Sequence, residues 1–185
     1  MIAFVGLGNI GNQYADTKHN AGFWVLDEFA NRNKMVFKAG KGDYVFSKTK
    51  RNQVLLVKPT TMMNKSGHAV KDIMFQWGLL PSELVVVLDD IDLPLGAIRI
   101  RPKGGDGCHR GLENIIYQIQ TNQFARIRLG ISELTQKVRP AEKYVLTPFD
   151  EGSIEKVEEM VWQCADAMQY LVIHGLNRTM NKFKF

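Results

Sequence analysis

The chain has 185 residues, 45% of them apolar and 23% charged, which is the balance of a folded domain with a core and excludes a disordered chain. No stretch approaches the roughly 18 uninterrupted apolar residues that a membrane-spanning helix needs. The formal net charge of +5 permits a polyanionic partner without establishing one.

Met1-Ile2-Ala3-Phe4-Val5-Gly6 has no basic leader and runs straight into a glycine turn, so it reads as neither a signal peptide nor a transit peptide. A cytoplasmic protein is expected. Two cysteines, Cys108 and Cys164, are too few for a disulfide framework or a four-ligand zinc site. With no internal repeat, low-complexity tract or linker, residues 1–185 read as a single domain.

Ile2 to Val5 is a short apolar run ended by glycine and predicts a buried strand. Phe23, Leu26, Phe29 and Ala30 share one face of a helix between Gly22 and Asn33. Tyr44 to Lys48 and Gln53 to Lys58 predict two strands about a Lys50-Arg51-Asn52 turn. Val70, Ile73, Met74 and Trp77 give a helix closed by Gly78 and followed by Pro81. Leu84-Val85-Val86-Val87-Leu88 is apolar on both faces, as a strand in the centre of a covered sheet must be. Ile98 to Arg101 alternates apolar and basic, like an edge strand. Leu112, Ile115, Ile116 and Ile119 mark a helix, and Ala125 to Ile131 a further strand. Ile154, Val157, Val161, Ala165, Met168 and Val172 place a long helix within Glu151 to His174, ended by Gly175. The alternation predicts an α/β fold with a mixed, mostly parallel sheet. Ligands of such sheets sit at the carboxyl ends of the strands, which directs attention to the loops after Val5, Lys58, Leu88 and Arg101.

Gly6-Leu7-Gly8-Asn9-Ile10-Gly11 matches half of the dinucleotide-binding fingerprint, G-x-G-x-x-G after a strand. The other half fails. Asn12 to Asn20 has no amphipathic pattern, and Asp27 and Glu28 fall inside a predicted helix instead of ending a second strand. A tight turn that admits another element is the better account of the glycines.

Of the four histidines, His174 suits a helix C-terminus, His68 lies near a helix start, and His109 in the glycine-rich loop has no assigned role. His19 stands among polar residues after the first strand's loop. An imidazole with a pKa of about 6.5 is poised there as a general base. Asp89, Asp90 and Asp92 follow the buried strand and invite a metal, but no other acidic cluster completes an oxygen shell. Orientation of a histidine is the more economical use of a carboxylate. Ser66 and Cys108 lack the signature of an activated nucleophile, which leaves water. Lys58 to Gly67 leads into a helix, where Asn64 or Ser66 suits a cap. Arg99 and Arg101 share one face of a strand that runs into Gly104, Gly105 and Gly107, an arrangement fit for phosphates. Arg126 and Arg128 extend that patch, unless the arginines serve only to keep an exposed edge soluble.

Gly6-Leu7-Gly8-Asn9, Tyr14 and Thr17-Lys18-His19-Asn20-Ala21-Gly22 resemble the opening of the bacterial peptidyl-tRNA hydrolases. Lys58-Pro59-Thr60-Thr61-Met62-Met63-Asn64-Lys65-Ser66-Gly67 and Asp89-Asp90-Ile91-Asp92-Leu93-Pro94-Leu95-Gly96 resemble that family's next two signatures, in order and over essentially the whole chain. The resemblance implies a three-layer α/β/α domain that hydrolyses the ester joining a peptide to the 3′ end of tRNA, recycling tRNA after premature drop-off from the ribosome. It implies His19 as the base that activates water, Asp89 as the carboxylate that orients it, and Asn9 as a further catalytic group. Asn9 and Asn64 would hold the peptide backbone and the reacting carbonyl or water, with Tyr14 and Met63 shaping the cleft. Arg99, Arg101 and Arg128 match basic positions that face the tRNA acceptor end. Peptidyl-tRNA is the implied partner of a monomer that needs no membrane, no metal and no organic cofactor. A lid-like segment near 135–146 and a long helix near 151–174 complete the expectation.

The chain departs from that pattern in three places. Ile10 stands where the family usually has proline. The family's G-G-H-N-G loop is here Gly107-Cys108-His109-Arg110-Gly111. Arg110 thus replaces an asparagine that binds substrate or water, and a guanidinium accepts no hydrogen bond, so Arg110 is expected only to bind substrate. Cys108 adds a side chain where glycine is usual. These changes motivate an alternative, a non-catalytic RNA-binding relative, against which the retention of His19 and Asp89 argues.

Overall fold

Seven strands form one sheet in the computed structural model, which describes residues 1–49, 53–133 and 140–183. The strands are β1 (Ile2–Gly6), β2 (Lys38–Ala39), β3 (Tyr44–Lys48), β4 (Val54–Pro59), β5 (Leu84–Pro94), β6 (Ile98–Arg101) and β7 (Ala125–Ser132), in the spatial order β2-β3-β4-β1-β5-β7-β6. The four central strands, β4 to β7 across β1 and β5, are parallel. Both margins are antiparallel, β2 and β3 on one side and β6 on the other. The expected turn at residues 50–52 lies outside the described residues.

Alternate residues of the central strands feed two separate cores, as the pleat of a strand covered on both faces requires. Phe4, Val85 and Val87 pack with α1 (Ala21–Arg32) and α5 (Ile154–His174), against Val25, Phe29, Met160 and Met168. Val5, Val86 and Leu88 pack on the other face with α2 (Ser66–Trp77) and α3 (Arg110–Ile119), against Val70, Ile73, Leu112 and Ile115. Each such fully buried aliphatic side chain contributes about 1.5–3 kcal/mol of hydrophobic stabilisation. Three layers result. The short α4 (Ala141–Val145) and α6 (Leu176–Lys182) flank them.

Several boundaries differ from the sequence reading. β5 does not stop at Leu88. Pairing with β7 carries it through Asp89 and Asp90 to Pro94, with an irregular register near its end, so the carboxylates begin on a strand and not in a loop. Backbone pairing to a neighbouring strand is indifferent to side-chain polarity, which is why hydropathy ended the strand early. Glu151–Ser153 is a separate 3₁₀ turn before α5, and α6 follows the break at Gly175 (φ 78°) without an apolar stripe to announce it.

The glycine motif after β1 is explained by packing. A Cβ on Gly6 would lie 2.5 Å from the Gly22 carbonyl oxygen, and one on Gly8 would lie 2.7 Å from the Phe23 ring. A Cβ on Gly22 would press on the Val87 oxygen and lie 2.6 Å from the Leu7 nitrogen. Helix α1 therefore starts directly against the ends of β1 and β5. Between them run two 3₁₀ turns, Asn12–Tyr14 and Lys18–Asn20, where a dinucleotide fold would start its helix. Gly22→Ala is expected to cost about 1–3 kcal/mol by overpacking. A lower urea midpoint with an unchanged denaturant slope would register it; an unchanged midpoint would mean that this crossing yields freely.

Candidate active site

A cleft of about 580 Å³ opens at the carboxyl end of the parallel strands, the size of a small-ligand site. At its base lies Asp89, on β5 and 2% exposed. His19, from the 3₁₀ turn before α1, points Nδ1 at both carboxylate oxygens, 2.9 Å from each. His109, the N-cap of α3, places Nε2 at 3.0 Å from Oδ1 of the same carboxylate. The two imidazole centres are 4.9 Å apart. One buried carboxylate thus serves two histidines.

Burial alone would raise the pKa of Asp89, but His19 and His109 outweigh it and hold the carboxyl far below the usual range. Burial likewise works to lower His19, and the charge and hydrogen bond of Asp89 overcome it, leaving His19 raised. Asp89 accepts from the Nδ1 of His19, which leaves Nε2 without a partner among the described residues. The tautomer of His109 is fixed from its other side. Its Nδ1 accepts the Leu112 N–H at 3.3 Å, so its Nε2 carries the proton that faces Asp89.

His19, Asp89 and His109 offer ligand atoms within 4.8 Å of one another, close enough for a metal ion. The hydrogen bonding works against that use. A metal on Nε2 of His109 would displace the proton that the Leu112 contact assigns to it, while the other ring nitrogen stays engaged as an acceptor.

Asn9 is held from three directions. Its N–H donates to Oδ1 of Asn20 at 2.8 Å, its carbonyl accepts from Nδ2 of Asn20 at 3.0 Å, and its Oδ1 accepts the Met63 N–H at 2.7 Å. This sets the amide with Nδ2 as the group lacking a partner among the described residues. Asn9, Met63 and the exposed Asn64 all line the cleft. Neither Asn64 nor Ser66 caps α2: the helix has no side-chain cap, and Ser66 donates back to the Met63 carbonyl at 2.8 Å. Tyr14 is half-buried and is not among the residues that line the cleft.

The arginines divide. Arg99 pairs in register with Arg128, and Arg101 with Arg126, so all four share a face of the sheet. Arg99 and Arg101 are exposed on the edge strand and lie outside the cleft lining. Arg128 does line it, and its Nε is 3.0 Å from Oδ2 of Asp90, an ion pair out of line for a hydrogen bond. Arg126 does not extend the basic patch. It is 1% exposed, stacks on Phe124, and donates to the carbonyls of Gly104, Gly105, Asn122 and Phe124. Burial first, and then Arg128, bring its pKa down to about 10, so it stays cationic. The glycine-rich loop and the Phe124 ring enclose it, so it is interior and not part of an exposed edge.

Arg126 shapes the glycine-rich loop from beneath, and Asp106 does so from within by accepting the Cys108 N–H at 2.7 Å. Cys108 keeps a left-handed conformation, φ 61°, that glycine adopts without cost. Arg110 opens α3 at the rim, lines the cleft and ion-pairs with Glu142 of α4. Pro140, Ala141, Val145 and Leu146 complete that wall. Of the expected lid at 135–146, residues 135–139 lie outside the described residues.

Three residues important to this geometry had no role from the sequence. His109 meets Asp89 across 20 positions, a contact without a local signature. Asn20 and Lys18 flank His19 inside one motif, and that adjacency was the available signal.

A family model described as peptidyl-tRNA hydrolase matches residues 3–185. A peptidyl-tRNA hydrolase of Thermodesulfovibrio yellowstonii is 39% identical over 185 residues, covering 98% of this chain and 97% of that protein. One from Geobacillus thermodenitrificans is 40% identical over 185 residues, covering 99% of each. Among solved structures, the peptidyl-tRNA hydrolase of Acinetobacter baumannii superposes with a TM-score of 0.91 at 28% identity, covering 99% of this chain and 94% of that one. Signatures, fold and overall similarity agree from end to end: the chain belongs to the peptidyl-tRNA hydrolase family.

Proposed function

We propose that this chain hydrolyses the ester between peptide and tRNA in peptidyl-tRNA, returning tRNA lost prematurely from the ribosome, with His19 as general base. The observation that carries the assignment is the His19–Asp89 contact at the floor of the cleft, 2.9 Å from Nδ1 to each oxygen. With Nδ1–H donated to Asp89, neutral His19 presents Nε2 to a water molecule. The water's oxygen bonds to the ester carbonyl carbon as its proton passes to Nε2. The tetrahedral intermediate then expels the ribose oxygen, which takes that proton, giving a peptide acid and a tRNA with a free hydroxyl. Asn9, through Nδ2, and Asn64 supply neutral donors for the carbonyl oxygen without a charge that would weaken the base. Met63 shapes the peptide side of the cleft, and Tyr14 is assigned no place inside it.

Arg99, Arg101 and Arg128 present cations on one sheet face to the phosphates of the acceptor end, a grip that does not depend on base sequence. Arg110 binds substrate in exchange for its contact with Glu142, as an exposed ion pair is weak enough to trade. His109 is added as a positioning residue for Asp89. The protonation pattern around Asp89 favours an activated water over a metal. On this reading residues 1–185 act as one domain, a cytoplasmic monomer.

His19→Ala is expected to lower the release of tRNA from N-acetyl-aminoacyl-tRNA, assayed in EDTA, by about 10²–10⁴-fold while tRNA binding persists. Undiminished turnover would remove His19 from the chemistry. A wild-type chain that binds tRNA without cleaving it would be the non-catalytic relative instead. The base must be neutral and its pKa is raised, so the acid limb of kcat/KM is expected above about 6.5, with activity lost as pH falls through it. In Asp89→Asn that limb should move to lower pH, because burial then acts alone, and kcat should fall. A limb that stays in place would disconnect Asp89 from His19. Arg99→Gln and Arg101→Gln should each raise KM similarly for different tRNAs and reduce the salt slope of binding by about one; unchanged slopes would place the phosphates elsewhere.

A further inference from the structure

Lys18 takes no part in the chemistry above, yet it directly precedes the base and is 2% exposed. Its ammonium lies 3.1 Å from Oε2 of Glu133 and donates to Oγ1 of Thr147 at 3.3 Å and to the Pro148 carbonyl at 2.5 Å. It stands 4.5 Å from the centre of the Tyr144 ring and 4.9 Å from that of Phe149. The backbone repeats the tie: the Lys18 N–H donates to the Thr147 carbonyl at 3.0 Å, and Thr17 bridges to Pro148.

Glu133, just past the end of β7, secures the same knot. Its N–H donates to the Tyr144 oxygen at 2.9 Å, and its carboxylate accepts from the Asp150 N–H at 3.3 Å. The Tyr144 hydroxyl donates to the Ile131 carbonyl at 2.8 Å. Burial would raise the pKa of Glu133, but hydrogen bonds from Ser153 and Lys18 outweigh it and hold the carboxyl below its usual value, so the carboxylate is ionised at neutral pH. Three parts of the fold meet at one ammonium: the turn that carries His19, the exit of β7, and the chain that leaves α4. Residues 140–146 between them include the cleft wall of Pro140, Ala141, Glu142, Val145 and Leu146. A buried cation persists only with a full set of partners, and these partners all belong to the mounting of that wall.

We propose that Lys18 is a positioning residue that fixes the α4 wall of the cleft against the turn bearing His19. Its structural arm stands alone, and its kinetic arm rests on the hydrolase reading. The phosphate grip assigned to Arg99 and Arg101 lies on the edge strand, outside the cleft lining, so displacement of the wall should depress kcat more than it raises KM.

The test uses the full-length chain with Lys18→Arg, Lys18→Met and the double variant Lys18→Met/Glu133→Met, which removes both charges and so avoids an unpaired buried carboxylate. Amide hydrogen exchange over residues 141–147 and steady-state hydrolysis of N-acetyl-aminoacyl-tRNA are measured for each. In Lys18→Met and in the double variant, exchange over 141–147 should rise at least about tenfold, with β1 and β5 unchanged, and kcat should fall about 10–100-fold with KM within about threefold. Lys18→Arg should restore most of both. A double variant with wild-type kcat, or unchanged exchange over 141–147 in both Met variants, would overturn the proposal. Should the wild-type chain release no tRNA, the hydrolase reading fails, and the exchange data alone then decide whether Lys18 fixes the wall.

Discussion

The buried carboxylate of Asp89 is the constraint on which the site depends. An ionised group within the central strand is costly to bury, and only charge-assisted hydrogen bonds of good geometry offset that cost. They arrive from opposite sides of the sheet. His19 comes from the turn that starts α1, in the layer shared with α5, and His109 from the cap of α3, in the layer shared with α2. Asp89 is therefore where the two helical layers are tied together, and the same tie sets the tautomer and basicity of His19. Stability and reactivity are not separable at this residue.

Around that point the backbone is organised by short polar links. Asn20 holds both backbone groups of Asn9, and Asn9 in turn holds the Met63 N–H, so the loops after β1 and β4 are spaced before any substrate arrives. Such preorganisation lets hydrogen-bond donors act on developing charge without first having to move. The opposite wall is built differently. It hangs between the buried Lys18–Glu133 knot at its foot and the exposed Arg110–Glu142 pair at its rim. The rim contact sits in water and is screened, whereas the foot is dry. The wall is firm where it meets the base and yielding where the substrate enters.

The sheet centre was legible because Ile2 to Val5 and Leu84 to Leu88 are apolar on both faces, a pattern that leaves few alternatives. What the sequence hid was long-range. The alternation Arg126-Ile127-Arg128 looks the same whether or not a distant loop folds over it, and only the contacts of Arg126 with the Gly104 and Gly105 carbonyls show that it is interior. His109 carried no local mark because its partner lies on another element. The continuation of β5 through Asp89 and Asp90 was missed because the ladder to β7 is made by backbone, and α6 because it offers few apolar side chains to a periodicity test. The pairing of His19 with Asp89 was reached on chemical economy and on resemblance, since nothing local distinguishes Asp89 from Asp90 or Asp92. In the structure Asp89 faces the histidines, while Asp90 takes Arg128 and the Asp92 N–H.

The glycine-rich loop shows where its own shape is written. Cys108 occupies a left-handed position that its side chain disfavours, yet the turn persists, held by Arg126 on the carbonyls of Gly104 and Gly105 and by Asp106 on the Cys108 N–H. The course of the loop is set jointly by a buried arginine from another strand and by its own Asp106 and glycines. Contacts from outside position 108 thereby offset the cost of its left-handed backbone. Loss of Arg126 would remove the donors that hold the Gly104 and Gly105 carbonyls, so the shape of the loop hangs on a residue that touches no substrate on this account.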